Sequence, residues 1–152
     1  MPPESGAASA DTDKVRASIA IVEDEFLVAL QLEDILLEGG YHVVATAPDL
    51  PAAEAISQTV DVALVDLNLR DGLTGPEIAR RLSTRFGTRI VYVTANPGQI
   101  GVPAETAMGV LHKPFSRKAI EATLEYALDQ SLTVARPREL EPLERHPVFR
   151  SA

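Results

Sequence analysis

The sequence predicts an α/β fold built on a doubly wound, five-stranded parallel sheet. Two observations carry this. Four short apolar runs, Ile19 to Val22, Val62 to Val65, Ile90 to Val93 and Met108 to His112, lead into polar residues, and continuous apolar runs of this length suit parallel strands covered on both faces. Between them lie segments with helical spacing, so strand and helix alternate five times with short links.

The elements follow in order. Residues 1 to 16 are small, polar and acidic, and are expected to be a disordered tail. After the first strand, Val28, Leu32, Ile35 and Leu36 form one stripe of a helix over about Phe26 to Glu38, which Gly39-Gly40 ends. A strand over Tyr41 to Ala47 follows, and Asp49 caps a short, Ala-rich helix. The third strand ends at Asp66. Thr74-Gly75-Pro76-Glu77 reads as a capping box opening a helix with Ile78 and Leu82 inward. The fourth strand ends at Thr94. Asn96 to Pro103 holds two prolines and two glycines, so the fourth helix should be short or irregular, with one or two turns at most. The last helix starts near Ser116 and carries Ile120, Leu124, Ala127 and Leu128 on one face.

Three segments result: a tail over 1–16, a folded domain over 17–130, and a Pro-rich extension over 131–152. Pro137, Pro142 and Pro147 rule out a long helix in the extension, and it is too short for an output domain. Its Leu140, Leu143, Val148 and Phe149 are expected to supply contact area in a homodimer.

Composition narrows the function. The chain has 152 residues, 45% of them hydrophobic, enough for a core in one domain plus tails. Only 5% are aromatic, so Val, Ile, Leu and Ala must build that core. A net charge of −8 argues against a nucleic-acid surface and fits cations or basic partners. The absence of Cys removes disulfides and thiolate metal sites and fits a reducing cytoplasm. No apolar run has the length of a membrane span, and the first residues lack a signal pattern.

Chemistry in an open α/β sheet gathers outside the carboxyl ends of the strands. There the sequence puts Glu23-Asp24, Asp66, Thr94 and Lys113. Taken singly, each is an ordinary cap, loop acid, strand-end hydroxyl or surface lysine. Together they describe a carboxylate nucleophile, Asp66, able to take a phosphoryl group. Three acids and a phosphoryl group repel one another, and a hard cation such as Mg²⁺ with oxygen ligands relieves that repulsion. Lys113 can neutralise a phosphoryl oxygen and Thr94 can donate to another. His42 and His112 lie in strands and are expected to be structural, and His146 has no ligand cluster nearby. There is neither a phosphate-binding P-loop nor a dinucleotide fingerprint.

Ile21-Val22-Glu23-Asp24-Glu25, Leu64-Val65-Asp66-Leu67-Asn68, Val93-Thr94-Ala95 and His112-Lys113-Pro114-Phe115 resemble the receiver domain of bacterial response regulators, over about Ser18 to Asp129. The resemblance implies a flavodoxin-like sheet with Asp66 as phosphoacceptor. It implies that Glu23 and Asp24 form the acidic pair, and that Asp24, Asp66 and the Asn68 carbonyl hold Mg²⁺. Thr94 becomes the switch hydroxyl and Lys113 the family's lysine, with Lys113-Pro114 in a cis bond. The implied partner is a sensor histidine kinase or histidine phosphotransfer protein, with no nucleic acid and no membrane. The chain would then be a stand-alone signalling protein, catalytic only in promoting its own phosphorylation and dephosphorylation.

Three departures stand out. Val110 occupies the position, three before the lysine, where many receivers carry Tyr or Phe. The fourth-helix region, a frequent output or dimer face in the family, is reduced. The loop Asn68 to Gly75 lacks the usual Pro and is similar to that of atypical receivers in alphaproteobacterial-type regulators. Two other readings remain open. One is a receiver-like binding adaptor with little use of phosphate. The other is an aspartyl phosphohydrolase, which needs a general acid two residues after the nucleophile, where this chain has Asn68.

Overall fold

Strand β1 (Ser18–Val22) is buried along Ile19 to Val22, and β3 (Val62–Val65) is buried throughout. Burial on both faces is the reason these runs lack polar alternation. With β2 (His42–Ala47), β4 (Arg89–Thr94) and β5 (Ala107–His112) they form one parallel sheet in the order β2-β1-β3-β4-β5. The structure, a computed structural model, describes residues 17–143. The expected tail over 1–16, and His146, Pro147, Val148 and Phe149, lie outside the described residues.

Strand alternation splits the core in two. Ile19, Ile21, Leu64, Val91 and Val93 face helices α1 (Phe26–Glu38) and α4 (Arg117–Leu128). Ala20, Val22, Ala63, Val65, Ile90 and Tyr92 face α2 (Leu50–Glu54) and α3 (Gly75–Phe86). In α1 the buried stripe is Ala29, Leu32, Ile35 and Leu36, with Val28 at its half-buried margin. Each fully buried Leu or Ile contributes about 1.5–3 kcal/mol. That burial, rather than propensity, holds helices of 12 or 13 residues.

Side-chain caps define the starts of α2 and α4. The Asp49 carboxylate accepts from the Ala52 N–H at 2.9 Å, and the Ser116 hydroxyl accepts from the Ala119 N–H at 3.1 Å. The capping box expected at Thr74 does not form. The Thr74 hydroxyl instead donates to Asp71 Oδ1 at 2.6 Å, and Glu77 pairs with Arg81. Thr74 has helical backbone angles (φ −98°, ψ −11°) rather than the extended ones of a capping residue.

The β4–β5 crossover is a single 3-10 turn, Pro97–Gln99, followed by irregular chain with Ile100 and Ala104 buried. The Tyr92 hydroxyl accepts from the Ala104 N–H at 3.0 Å, which anchors the crossover without a helix.

The extension returns to its own sheet. Asp129 accepts from the Ser131 and Val134 N–H groups at 3.2 and 2.6 Å, and the Arg136 guanidinium lies over the Tyr126 ring. The chain turns at Pro137, whose carbonyl accepts from the Leu140 N–H at 3.1 Å. Glu141 then pairs antiparallel with Val110, exchanging two backbone hydrogen bonds of 2.9 Å. Leu140 is buried in the cluster under α1 and α4, while Leu143 packs against the opposite cluster. Residues 140–143 therefore straddle the β5 edge. Leu140 and Leu143, expected in an intersubunit contact, lie on their own chain. At Val110 the edge therefore offers no unpaired backbone groups.

Candidate functional site

The strand order reverses between β1 and β3, the point where an open sheet leaves a crevice at its carboxyl edge. Val22 is in register with Val65, and the Asp66 N–H donates to the Val22 carbonyl at 2.9 Å. That register carries Glu23, Asp24 and Asp66 to one place. A carboxylate oxygen from each lies within 4.8 Å of the others. Glu23 and Asp66 are buried and Asp24 is exposed.

Lys113 closes the cluster. Its Nζ donates to Glu23 Oε1 at 2.8 Å, Asp66 Oδ2 at 2.9 Å and Glu25 Oε2 at 3.0 Å. Its backbone N–H donates to the Thr94 carbonyl at 3.1 Å, so the end of β4 fixes the stem. The Lys113–Pro114 bond is cis, as expected. Asp66 Oδ1 accepts from the Leu67 N–H at 2.7 Å, which with Lys113 orients both carboxylate oxygens.

Burial pushes the Glu23 carboxyl above the usual carboxylate range, against the opposing pull of the Lys113 ammonium and the Glu25 N–H. Burial disfavours the Lys113 ammonium too, but hydrogen bonds to Glu23, Asp66 and Glu25 together outweigh it, and its pKa is raised. The lysine is thus a fixed cation among anions.

The remaining expected residues are placed less tightly. Thr94 is fully buried at the end of β4, and its hydroxyl accepts from the Asn96 N–H at 3.0 Å rather than donating to a site carboxylate. Asn68 is exposed, with its side-chain amide donating to Gln99 Oε1 at 2.6 Å. Two participants were not singled out from sequence. Glu25 is the third carboxylate on Lys113, and its signal was the unbroken acidic run Glu23-Asp24-Glu25. Gln99, which ties the crossover to the Asp66 loop, carried no signal beyond its place after Gly98.

Three hard oxygen donors at one sheet edge, all following β1 or β3, fit an oxygen-coordinated divalent cation such as Mg²⁺. Asp24 and Asp66 would hold it, with Glu23 adding charge.

The family model for the response regulator receiver domain matches residues 19–125. The chain belongs to that family. The Phyllosphere-induced regulator PhyR of Methylorubrum extorquens is 30% identical over 115 residues, covering 72% of this chain and 43% of PhyR. The transcriptional regulatory protein PdtaR of Mycobacterium tuberculosis is 30% identical over 133 residues, covering 83% of this chain and 60% of PdtaR. The chain spans about half the length of these curated relatives. Among solved structures, the receiver domain of Erythrobacter litoralis PhyR superposes with a TM-score of 0.66 at 28% identity, covering 74% of this chain and 90% of that one. SdrG from Sphingomonas melonis Fr1 gives 0.61 at 30% identity, covering 76% and 98%.

The family places residues 19–125 among the receiver domains of two-component signalling. Its sheet is the flavodoxin-like receiver sheet expected from sequence. Among the described residues, no helix is long and apolar enough to cross a membrane.

Proposed function

We propose that this receiver accepts a phosphoryl group from a phosphohistidine donor onto Asp66, in a Mg²⁺-dependent reaction, and signals through protein contacts. The observation that carries the reading is the Lys113 ammonium, 2.9 Å from Asp66 Oδ2 with Glu23 and Asp24 alongside. In the transfer, an Asp66 carboxylate oxygen forms the new P–O bond as the donor's P–N bond breaks. The donor imidazole leaves with the bonding electron pair and regains a proton. Bound Mg²⁺ would neutralise phosphoryl charge between Asp24, Asp66 and the Asn68 carbonyl. The Leu67 N–H and Lys113 hold the Asp66 carboxylate in place, so catalysis is positioning and electrostatics. Thr94 is assigned the switch, since its hydroxyl already lies between the β4 end and the crossover.

A docking face for the donor lies beside the site. Phe26 and Leu27, directly after Glu25, are 74% and 76% exposed, and Leu30 and Leu37 continue along α1. An apolar row of this kind at the rim of a polar site suits a helical partner such as a histidine kinase or phosphotransfer protein. Meeting such a donor would place this receiver in the cytoplasm. Self-association through Leu140 and Leu143 is not part of this reading, because both side chains are packed on their own sheet.

The test is labelling with a small phosphodonor and Mg²⁺, read by intact mass. One phosphoryl group is expected on the parent chain and none on Asp66→Asn. An Asn variant labelled to the same extent would remove Asp66 from the role.

A further inference from the structure

We infer that the β5 edge is a gated strand-docking site, which the chain's own residues 137–143 hold closed while Asp66 is unmodified. The inference rests on Asp66 being the phosphoacceptor.

The strap is seated as a peptide ligand would be. It pairs its backbone with the sheet edge at Val110 and buries one side chain, Leu140, to 1% exposure. Its acidic residue reaches a specific partner, with Glu141 Oε1 3.0 Å from His112 Nε2. Gly109 makes the slot. It has a φ of +152°, and a Cβ there would stand 2.6 Å from the Glu141 carbonyl and 2.9 Å from Leu140 Cγ. A glycine within a strand often marks such close backbone approach.

The hold is local. Two backbone hydrogen bonds, the His112–Glu141 contact, the burial of Leu140 and the packing of half-buried Leu143 tie the strap down. The link from Ser131 to Arg136 is exposed. An element held this lightly sits at the low end of local stability.

The coupling runs along three consecutive residues. Lys113 takes its orientation from Asp66, Glu23 and Glu25. His112, the residue before it, holds Glu141. Leu111 packs in the cluster that receives Leu140. A phosphoryl group on Asp66 adds oxygens that compete with Glu23 and Glu25 for the Lys113 ammonium. Moving that stem moves the end of β5, which displaces the imidazole from Glu141. By linkage, releasing the strap must also alter the site. The freed edge would accept an extended partner segment with a Leu followed by an acid, the pattern the strap presents.

Hydrogen exchange on the full chain tests this, with intact mass read from the same samples. Phosphorylation should speed exchange of the Val110 and Glu141 amides at least tenfold. Leu140→Asp should produce that opening without phosphodonor. A labelled peptide of residues 136–143 should bind Leu140→Asp and the phosphorylated parent, and bind the unmodified parent at least tenfold more weakly. If the mass shows one phosphoryl group while exchange is unchanged, or the peptide binds both parent states equally, the gate is wrong and the phosphoacceptor reading stands. If no phosphoryl group appears on the parent, the phosphoacceptor reading falls and the gating inference with it.

Discussion

Gly75 lies so close to Asp66 that a Cβ on it would stand 2.0 Å from the Asp66 carbonyl oxygen and 2.6 Å from Leu67 Cα. The start of α3 is therefore packed directly on the backbone that presents the Asp66 carboxylate, and the Gly75 N–H donates to the Leu67 carbonyl at 3.0 Å. Gly75→Ala cannot be absorbed by a rotamer change, since the obstructing atoms are backbone. Overpacking of this kind costs about 1–3 kcal/mol. Chemical denaturation should show that loss, and labelling of Asp66 should slow because the loop must shift. A variant with parent stability and parent labelling would mean the close approach is not maintained in solution.

Mg²⁺ should raise the thermal midpoint. Glu23 and Asp66 are buried near Asp24, and a bound cation stabilises the state that gathers them. At 100 times the dissociation constant the gain is about 2.7 kcal/mol. Asp24→Ala, at the exposed corner of the cluster, should remove most of the Mg²⁺-dependent shift without disturbing the core. A midpoint shift as large as the parent's in that variant would place the metal elsewhere.

Lys113 and Thr94 should separate. Lys113→Met keeps the stem but leaves the buried Glu23 carboxylate without its ammonium, and losing hydrogen bonds to charged groups costs about 1.5–3 kcal/mol. It should lower stability and slow phosphoryl uptake together. Thr94→Ser keeps the hydroxyl that accepts from the Asn96 N–H, so uptake and response should persist, whereas Thr94→Val should label yet lose the conformational response. Labelling rate and tryptic or spectral response, measured in parallel on the variants, decide this. An intact response in Thr94→Val would end the switch assignment.

The strand ends were legible because two-face burial removes polar residues from the run, so the first acid after it marks the sheet edge. Ile19 to Val22 and Val62 to Val65 are the clearest cases. The reduced crossover was legible from Pro97, Gly98, Gly101 and Pro103, whose backbone effects are local. What could not be read was contact between distant segments. Glu25 meets Lys113 across 88 positions of sequence. The strap pairs with β5 at a single residue, Glu141, so it leaves no alternating pattern. Its one trace was Gly109 inside an apolar strand. Thr74 misled because its own backbone is already helical and its hydroxyl donates to Asp71.

The pH dependence should show in the loop beside the site. The Ala52 N–H and Arg70 hold Asp49 below the usual carboxylate range, and the Thr74 hydroxyl and Leu50 N–H do the same for Asp71. An unfolded Asp titrates near about 3.9. Since both folded pKa values lie lower, the stability these carboxylates contribute is fully present above that value. It is lost as pH falls through the folded pKa values. Asp49→Asn keeps an acceptor for the Ala52 N–H but removes the charge and the 2.8 Å ion pair with Arg70. Urea midpoints between about pH 2 and 7 should show a constant parent-to-variant gap above about pH 5, narrowing as pH falls below about 3.9. A gap that persists undiminished in acid would show that Asp49 acts through its shape alone.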